Sequence, residues 1–416
     1  MLSVDRERFY RDARADLTGP LDGVRVLDVT RVWSGPLATC VLADLGADVL
    51  RVELPGGRDG QVPPVIPGTG LSWFRETVNR NKRGIGLDLR QDAGRLAFLD
   101  LVRTADLVVE NYRPGTLAGW GVGYEQCRRV RPDIVLVSVT GWGQYGPGID
   151  RPAYDPVVQA DGGWMALNGP PQGDPVRAPT FLADELAGLH AAIGALAALA
   201  HRDRTGEGQH VDVSMLDCLL FGSSGLPTLA ATGDPPRRWG NETDFVVPSN
   251  VYRCRDGALY LAVALDKHWR ALAGLIGSAQ LARAPGFATN EQRRANRGVV
   301  DALVANWCAG RTVAAALAEL AALDLVVAPV RTLAQVAADP LVRARDMLQP
   351  TTLHNGTVAP LVGPPVKFSR TPTRIRHGAP PPPPRAVPAD ADPARAGAVT
   401  DPAPAGGAVP AAGGTR

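Results

Sequence analysis

The chain has 416 residues, of which 45% are hydrophobic and 21% charged, enough for roughly two or three domains with sizeable cores. Its 44 Lys and Arg nearly cancel its 42 Asp and Glu, and a formal charge of +2 excludes a general field for nucleic acid or membrane, leaving only local basic clusters for anionic ligands. Five scattered cysteines (Cys40, Cys127, Cys218, Cys254, Cys308) form no CxxC pair, which argues against a disulfide framework or a zinc site and for a reducing, cytoplasmic setting.

The charged start "MLSVDRERFYRDARADL" has no apolar h-region, so residues 1–20 read as an extension rather than a signal peptide. "VRVLDVT" (24–30) is the first predicted strand, "WSGPLATCVLADLG" a turn and helix, and "ADVLRVEL" (47–54) the next strand. Together they make a βαβ unit with a right-handed crossover. A third strand, "RGIGLDLR" (83–90), leads to a helix over 92–105, a strand over 106–112, a short helix over 124–132 and a strand over 133–143. This alternation predicts an α/β, doubly wound, Rossmann-like large domain over 21–224. The turn after the first strand reads "TRVWSGPLAT", not GxGxxG, so nicotinamide or flavin dinucleotides are not supported.

A helix over 184–201 follows. Its Ala-rich run 186–200 is short of the roughly 20 apolar residues a membrane span needs. A strand (209–213) and another helix come next, then a turn-rich linker. "VYRCRDGALYLAVA" (251–264) reads as a hairpin turning at Asp256 and Gly257. With helices over 266–277 and 294–323 and a strand over 326–332, it predicts a smaller α+β domain over 225–335. Residues 336–376 return to the large domain, and the Pro/Ala/Gly-rich 377–416 reads as a disordered tail.

Four stretches offer chemistry. In "TFLADELAGLH" (180–190), Asp184 and Glu185 open the apolar helix. Acids there satisfy the helix dipole, or one of them is a nucleophile or base beside backbone N–H groups. "VNRNKRGIGLDLR" carries Arg80, Lys82, Arg83 and Arg90, a solvated basic face or a phosphate patch. "ENYRPGTLAGWG" is a loop after a strand, and the glycine-rich 141–165 follows another strand, where α/β folds bind ligands.

Taken in order, "VLDVTRVWSGPLATCVLADLGADVLRVE", "NRNKRGIGLDLR", "VVENYRPG", "YDPVVQADGG", "ADELAG" and "RTGEGQHVDVSMLD" resemble the family III coenzyme A transferases from about residue 21 to 370. That family includes the formyl-CoA transferase, carnitine/crotonobetaine CoA transferase and α-methylacyl-CoA racemase groups. The resemblance implies a ring-shaped subunit of a Rossmann-like and a small domain, interlocked with a second copy as a homodimer. It implies a CoA thioester and a small organic acid as substrates, with no tightly bound cofactor; metal, nucleic acid and membrane are disfavoured by the scattered histidines, the near-neutral charge and the short apolar runs. The family's catalytic aspartate matches Asp184, and Glu185 is then a helix-start residue. Candidate CoA contacts carried over by position are Arg31, Val32, Trp33, Ser34, Leu87, Arg90, Asn111, Tyr112 and Trp120. Arg31 and Trp33 stand where formyl-CoA transferases commonly have polar residues, and Gly119 and Trp120 where they offer Arg and Met.

The racemase branch moves a proton α to the thioester with a histidine in a "GHD" motif. Here that point reads "AYD", and Tyr154 is a poor base at neutral pH because a phenol titrates near ~10. CoA transfer through a covalent aspartyl intermediate is therefore expected. The alternatives are racemase-type proton transfer and a non-catalytic CoA-binding protein.

Overall fold

The computed structural model describes residues 5–57 and 59–385. Strands β1 (Arg25–Val29), β2 (Asp48–Glu53), β3 (Lys82–Gly86), β4 (Leu107–Glu110), β5 (Val135–Thr140) and β6 (His210–Ser214) form one parallel sheet in the order β3-β2-β1-β4-β5-β6. The central strands β1, β4 and β5 are rich in Val and Leu, as strands covered on both faces are. Phe98, Val102, Val108, Ile134 and Leu136 are wholly buried between sheet and helices, and each such side chain contributes about 1.5–3 kcal/mol by leaving water. The order reverses between β1 and β4, which opens a crevice at the carboxyl ends of the strands.

The helix Leu182–Thr205 is apolar and long enough to cross a membrane by length and composition, contrary to the expectation from its Ala-rich run alone. It is a core helix. Ala187, Ala191, Ala195 and Ala198 recur on one buried face, and their small side chains let the helix lie close to the sheet. A Cβ on Gly194 would come within 3.0 Å of Val211 in β6.

Within the described residues the chain divides into two compact units. The first takes the chain up to Ala153, Asp184–Cys218 and the chain from Gln349 onward; the second takes Tyr154–Ala183 and Leu219–Leu348. The units do not follow the expected domain bounds. Residues 154–183, placed inside the large domain 21–224, belong to the second unit and contain the helix Asp155–Asp161, whose Pro156 suits a first turn; the second unit resumes at Leu219, not at 225. The chain rejoins the first unit at Gln349 rather than at 336. The second unit is built on an antiparallel sheet of β7 (Ser249–Cys254), β8 (Gly257–Ala262) and β9 (Val326–Pro329), with the hairpin turning at Asp256 and Gly257. Trp269, Leu272, Val300 and Val304 fill its core.

Residues 377–385, expected to be disordered, pack on the first unit. The Asn81 N–H donates to the His377 carbonyl (3.1 Å), and Arg75 Nη2 donates to the Pro380 carbonyl (3.0 Å). Gly84 and Gly86 make room on edge strand β3: a Cβ on Gly86 would lie 2.8 Å from Pro383. Proline rings thus cover one face of the edge strand β3, a pairing composition alone does not register. Residues 386–416 lie outside the described residues.

Candidate active site

The turn after β1 brings most of the candidate residues together. Asn111, just past β4, clamps it: its side-chain Oδ1 accepts from the Arg31 N–H and its Nδ2 donates to the Arg31 carbonyl, both at 2.7 Å. The turn then passes through Val32 at φ 63°. That left-handed conformation costs a β-branched residue about 1–3 kcal/mol and persists only where surrounding contacts over-determine it. Gly35 follows because a Cβ there would fall 2.5 Å from the Thr30 side chain. Sequence-matched Asn111 is thereby occupied with the backbone. Trp33 is buried in an edge-to-face cluster with Phe74 (4.7 Å) and near Trp73 (5.6 Å), and Ser34 is buried at the start of the helix Ser34–Asp44.

The crevice at the carboxyl ends of β1, β2, β3 and β4 encloses about 320 Å³. Arg31, Leu87, Arg90, Tyr112 and Trp120 line it; Val32, Trp33, Ser34 and Asn111 do not. Strand β3 stops at Gly86, short of the predicted 90, which leaves Leu87–Arg90 as a loop on the rim. Tyr112 and Trp120 meet edge to face at 5.0 Å, and the Arg31 guanidinium sits 5.9 Å from the Tyr112 ring. An aromatic wall with arginines at its edge is chemistry for a flat base and for phosphate.

At the floor of the crevice, which Arg51, Glu53 and Asp59 line, lies a charge network that sequence reading missed. Asp28 accepts from Lys82 Nζ (2.9 Å), Thr39 Oγ1 (2.9 Å) and Arg51 Nη1 (3.3 Å). Arg51 also reaches Asp59 (2.7 Å), and Arg75 forms a bidentate pair with Glu53 (2.8 and 2.7 Å). Burial opposes ionisation of Asp28, but Lys82 and Arg51 outweigh it and hold the carboxyl well below the usual range. Burial pushes Lys82 down to about 8, with Asp28 resisting. The missed signal was a charge inside an otherwise apolar strand, as in "VLRVE", where only pairing makes burial tolerable. The basic stretch 80–90 divides accordingly. Arg80 pairs with Asp44 (2.6 Å), Lys82 with Asp28 and Arg83 with Asp48 (2.8 Å); Arg90, held by Asp88 (2.7 Å), alone of the four faces the crevice.

Glu110, at the end of β4, is a second buried acid. Desolvation pushes it up to about 7, against hydrogen bonds from Ser138 and the Tyr112 N–H.

Asp184 is 8% exposed, in the first turn of the helix Leu182–Thr205. Gly188, one turn on, explains the glycine of "ADELAG": a Cβ there would lie 2.8 Å from the Ser34 carbonyl oxygen and 3.1 Å from Leu37. This close approach sets the first turns of the Asp184 helix against the segment that follows the β1 turn. In the second unit, the Ala183 N–H is already taken by the Asp155 carboxylate (2.7 Å), which also accepts from Gln159 (2.6 Å). Tyr154 is 68% exposed, ahead of the helix Asp155–Asp161.

Comparison with known proteins gives a consistent result. The family model described as CoA-transferase family III matches residues 21–382. The chain is 36% identical to a succinate–glutarate CoA-transferase of Agrobacterium fabrum, covering 87% of this chain and 92% of the relative. It is also 36% identical to an acetyl-CoA:oxalate CoA-transferase of Acetobacter aceti, covering 84% and 90%. Among solved structures, a CAIB/BAIF family protein from Brucella suis superposes with a TM-score of 0.79 at 34% identity, covering 88% of this chain and 96% of that one.

Proposed function

We propose, for a chain that belongs to CoA-transferase family III and is a CoA transferase, that Asp184 is the covalent carrier and that the crevice of the parallel sheet holds CoA. The Asp184 carboxylate attacks the donor thioester carbonyl; the C–S bond breaks and a mixed anhydride forms. CoA thiolate then attacks the aspartyl carbonyl of the anhydride, which frees the donor acid and leaves an aspartyl-CoA thioester. The acceptor carboxylate attacks that thioester and expels thiolate. Thiolate attacks the acyl carbonyl of the new anhydride, giving product and restoring the Asp184 carboxylate. A carboxylate is a weak nucleophile, so positioning supplies much of the acceleration.

The observation that carries this reading is Asp184 buried in a helix turn that Gly188 docks against Ser34 and Leu37. Tyr112 and Trp120 suit the adenine, and Arg31 and Arg90 the phosphates. Asn111 and the strained Val32 act by positioning the turn. Tetrahedral oxyanions need donors other than the Ala183 N–H, which Asp155 occupies. Relatives named for succinate, glutarate, oxalate and mesaconate make small dicarboxylates the first acceptors to try. The racemase-type alternative finds only the exposed Tyr154 at its histidine position.

The same proposal includes a ring-shaped subunit interlocked with a second copy, and a cytoplasmic location in keeping with five free cysteines. Leu189 and Ile193, exposed on the Asp184 helix, supply apolar surface for a second copy to cover. Light scattering after gel filtration should then return twice the chain mass.

The mechanism is tested by incubating the protein with a panel of acyl-CoAs, quenching with hydroxylamine and mapping peptides by mass spectrometry. A hydroxamate at Asp184, absent from Asp184→Ala, is expected, with activity lost by at least about a thousandfold in that variant. Solvent deuterium at the α-carbon of a branched acyl-CoA, without a hydroxamate, would replace transfer by racemase chemistry.

A further inference from the structure

Residues 379–385, read from the sequence as part of a disordered tail, run along β3 to the rim of the crevice. Five consecutive prolines (380–384) favour a polyproline II helix, which has three residues per turn and no internal hydrogen bonds. Residues three apart then share a side, and the first unit takes up that repeat. Arg75 Nη2 donates to the Pro380 carbonyl (3.0 Å) and the Gly56 N–H to the Pro383 carbonyl (3.2 Å). The same two rings meet the sheet where side chains are missing: a Cβ on Gly84 would lie 3.1 Å from Pro380, and one on Gly86 2.8 Å from Pro383. This strap begins at the Ala379 N–H, which donates to the buried Glu76 carboxylate (2.8 Å).

The strap leads to Arg385, and the turn at Gly56 is shaped to receive it. Gly56 has a φ of 71°, and a Cβ there would lie 2.9 Å from Arg385 Cγ and 3.2 Å from its Cα. Leu54 and Gly57, in the same turn, line the crevice, as do Leu87 and Asp88 just past Gly86. Arg385 thus packs on a turn that forms part of the rim. It is exposed, and among the described residues it has no carboxylate partner. The arginines that line the crevice each have one: Arg31 has Asp59 (3.7 Å), Arg51 has Asp28 (3.3 Å) and Asp59 (2.7 Å), and Arg90 has Asp88 (2.7 Å). A phosphate entering the crevice competes with those carboxylates, and at Arg385 it meets no such competitor.

We propose that Arg385 is a further phosphate-binding residue of the CoA site, delivered to the rim by the proline strap, with Pro383 as its positioning residue. The inference rests on the reading that the crevice holds CoA. Gly57 lies one Cα step, ~3.8 Å, beyond Gly56. That is within the length of an arginine side chain, so the guanidinium reaches a phosphate seated over the rim without movement of the strap. A polyproline segment is stiff before any ligand arrives, so holding Arg385 there costs little further ordering when CoA binds.

The test is calorimetric titration of CoA into the full chain at low and at high salt. Arg385→Gln should weaken CoA about tenfold at low salt and much less at high salt, with the thermal midpoint retained, and Arg385→Lys should recover most of the loss. With 3′-dephospho-CoA as the probe, a loss that disappears assigns Arg385 to the 3′-phosphate, and one that persists assigns it to the diphosphate. Trp120→Ala is the control for the crevice itself. CoA weakened by Trp120→Ala but not by Arg385→Gln would overturn the role of Arg385 and leave the CoA crevice standing. CoA weakened by neither would overturn both. A loss in Arg385→Gln that is equal at the two salt concentrations would make the residue structural and overturn the proposal as well.

Discussion

The two units handle buried and half-buried cations in opposite ways. Under the crevice of the first unit, Lys82, Arg51 and Arg75 meet Asp28, Asp59 and Glu53 at salt-bridge distance. In the second unit, Arg237, Arg238, Arg294 and Arg297 are oriented largely by a tryptophan and by backbone carbonyls, with Glu242, Asp244 and Asp301 at longer range. Both regions look basic in sequence. A buried cation marks a place for an anionic ligand only where the protein has not already supplied the anion. The first network is scaffold: it holds β1, β2 and β3 in place so that Arg31 and Arg90 stand at the rim.

The comparison breaks most directly at Asp28. Asp28→Asn would leave Lys82 and Arg51 buried beside each other without their shared counter-charge, and losing one member of a buried pair costs about 3–5 kcal/mol. Urea unfolding is the measurement, and a loss near zero would mean the network contributes nothing to the fold.

Glu110 sharpens the comparison because it is a buried acid of the first unit whose neighbours are Ser138, the Tyr112 N–H and the Asp212 carboxylate, not a cation. Its carboxyl titrates near 7 when folded and near 4.5 when unfolded, so between those values the folded chain holds the extra proton. The stability it contributes is complete below pH 4.5 and lost as pH rises through 7. Over that window the loss is on the order of 2–3 kcal/mol. Glu110→Gln, neutral throughout, should flatten this part of the stability–pH curve and be the more stable chain at pH 8. A variant with the same slope as the parent would remove Glu110 as its source.

The smallest effect is expected at Arg90, which is solvent-facing and paired with Asp88. Arg90→Gln should raise KM for acyl-CoA by roughly three- to tenfold at low salt, leave kcat unchanged, and lose most of its effect at high salt, as a screened charge-assisted contact does. An unchanged KM would take Arg90 out of the CoA site.

By itself the sequence determined the parallel α/β unit, the β7–β8 hairpin and the family. Apolar runs of strand length alternating with helical patterns admit few other arrangements, and the hairpin turn is written in Asp256 and Gly257. Asp184, Arg31, Leu87, Arg90, Tyr112 and Trp120 were named as candidates from ordered motifs, and the last five line one crevice. Tertiary structure alone decided what each polar residue does. Asn111 clamps a backbone turn, Trp33 packs beside Phe74, and Arg51 answers Asp28 across neighbouring strands. It also decided that residues 377–385 lie on β3, because Gly84 and Gly86 leave room there, and that four arginines from two distant stretches share one cavity. Local pattern encodes which surfaces leave water. Pairing of charges and filling of small gaps depend on residues far apart in the chain, and their partners exist only once the chain has closed on itself.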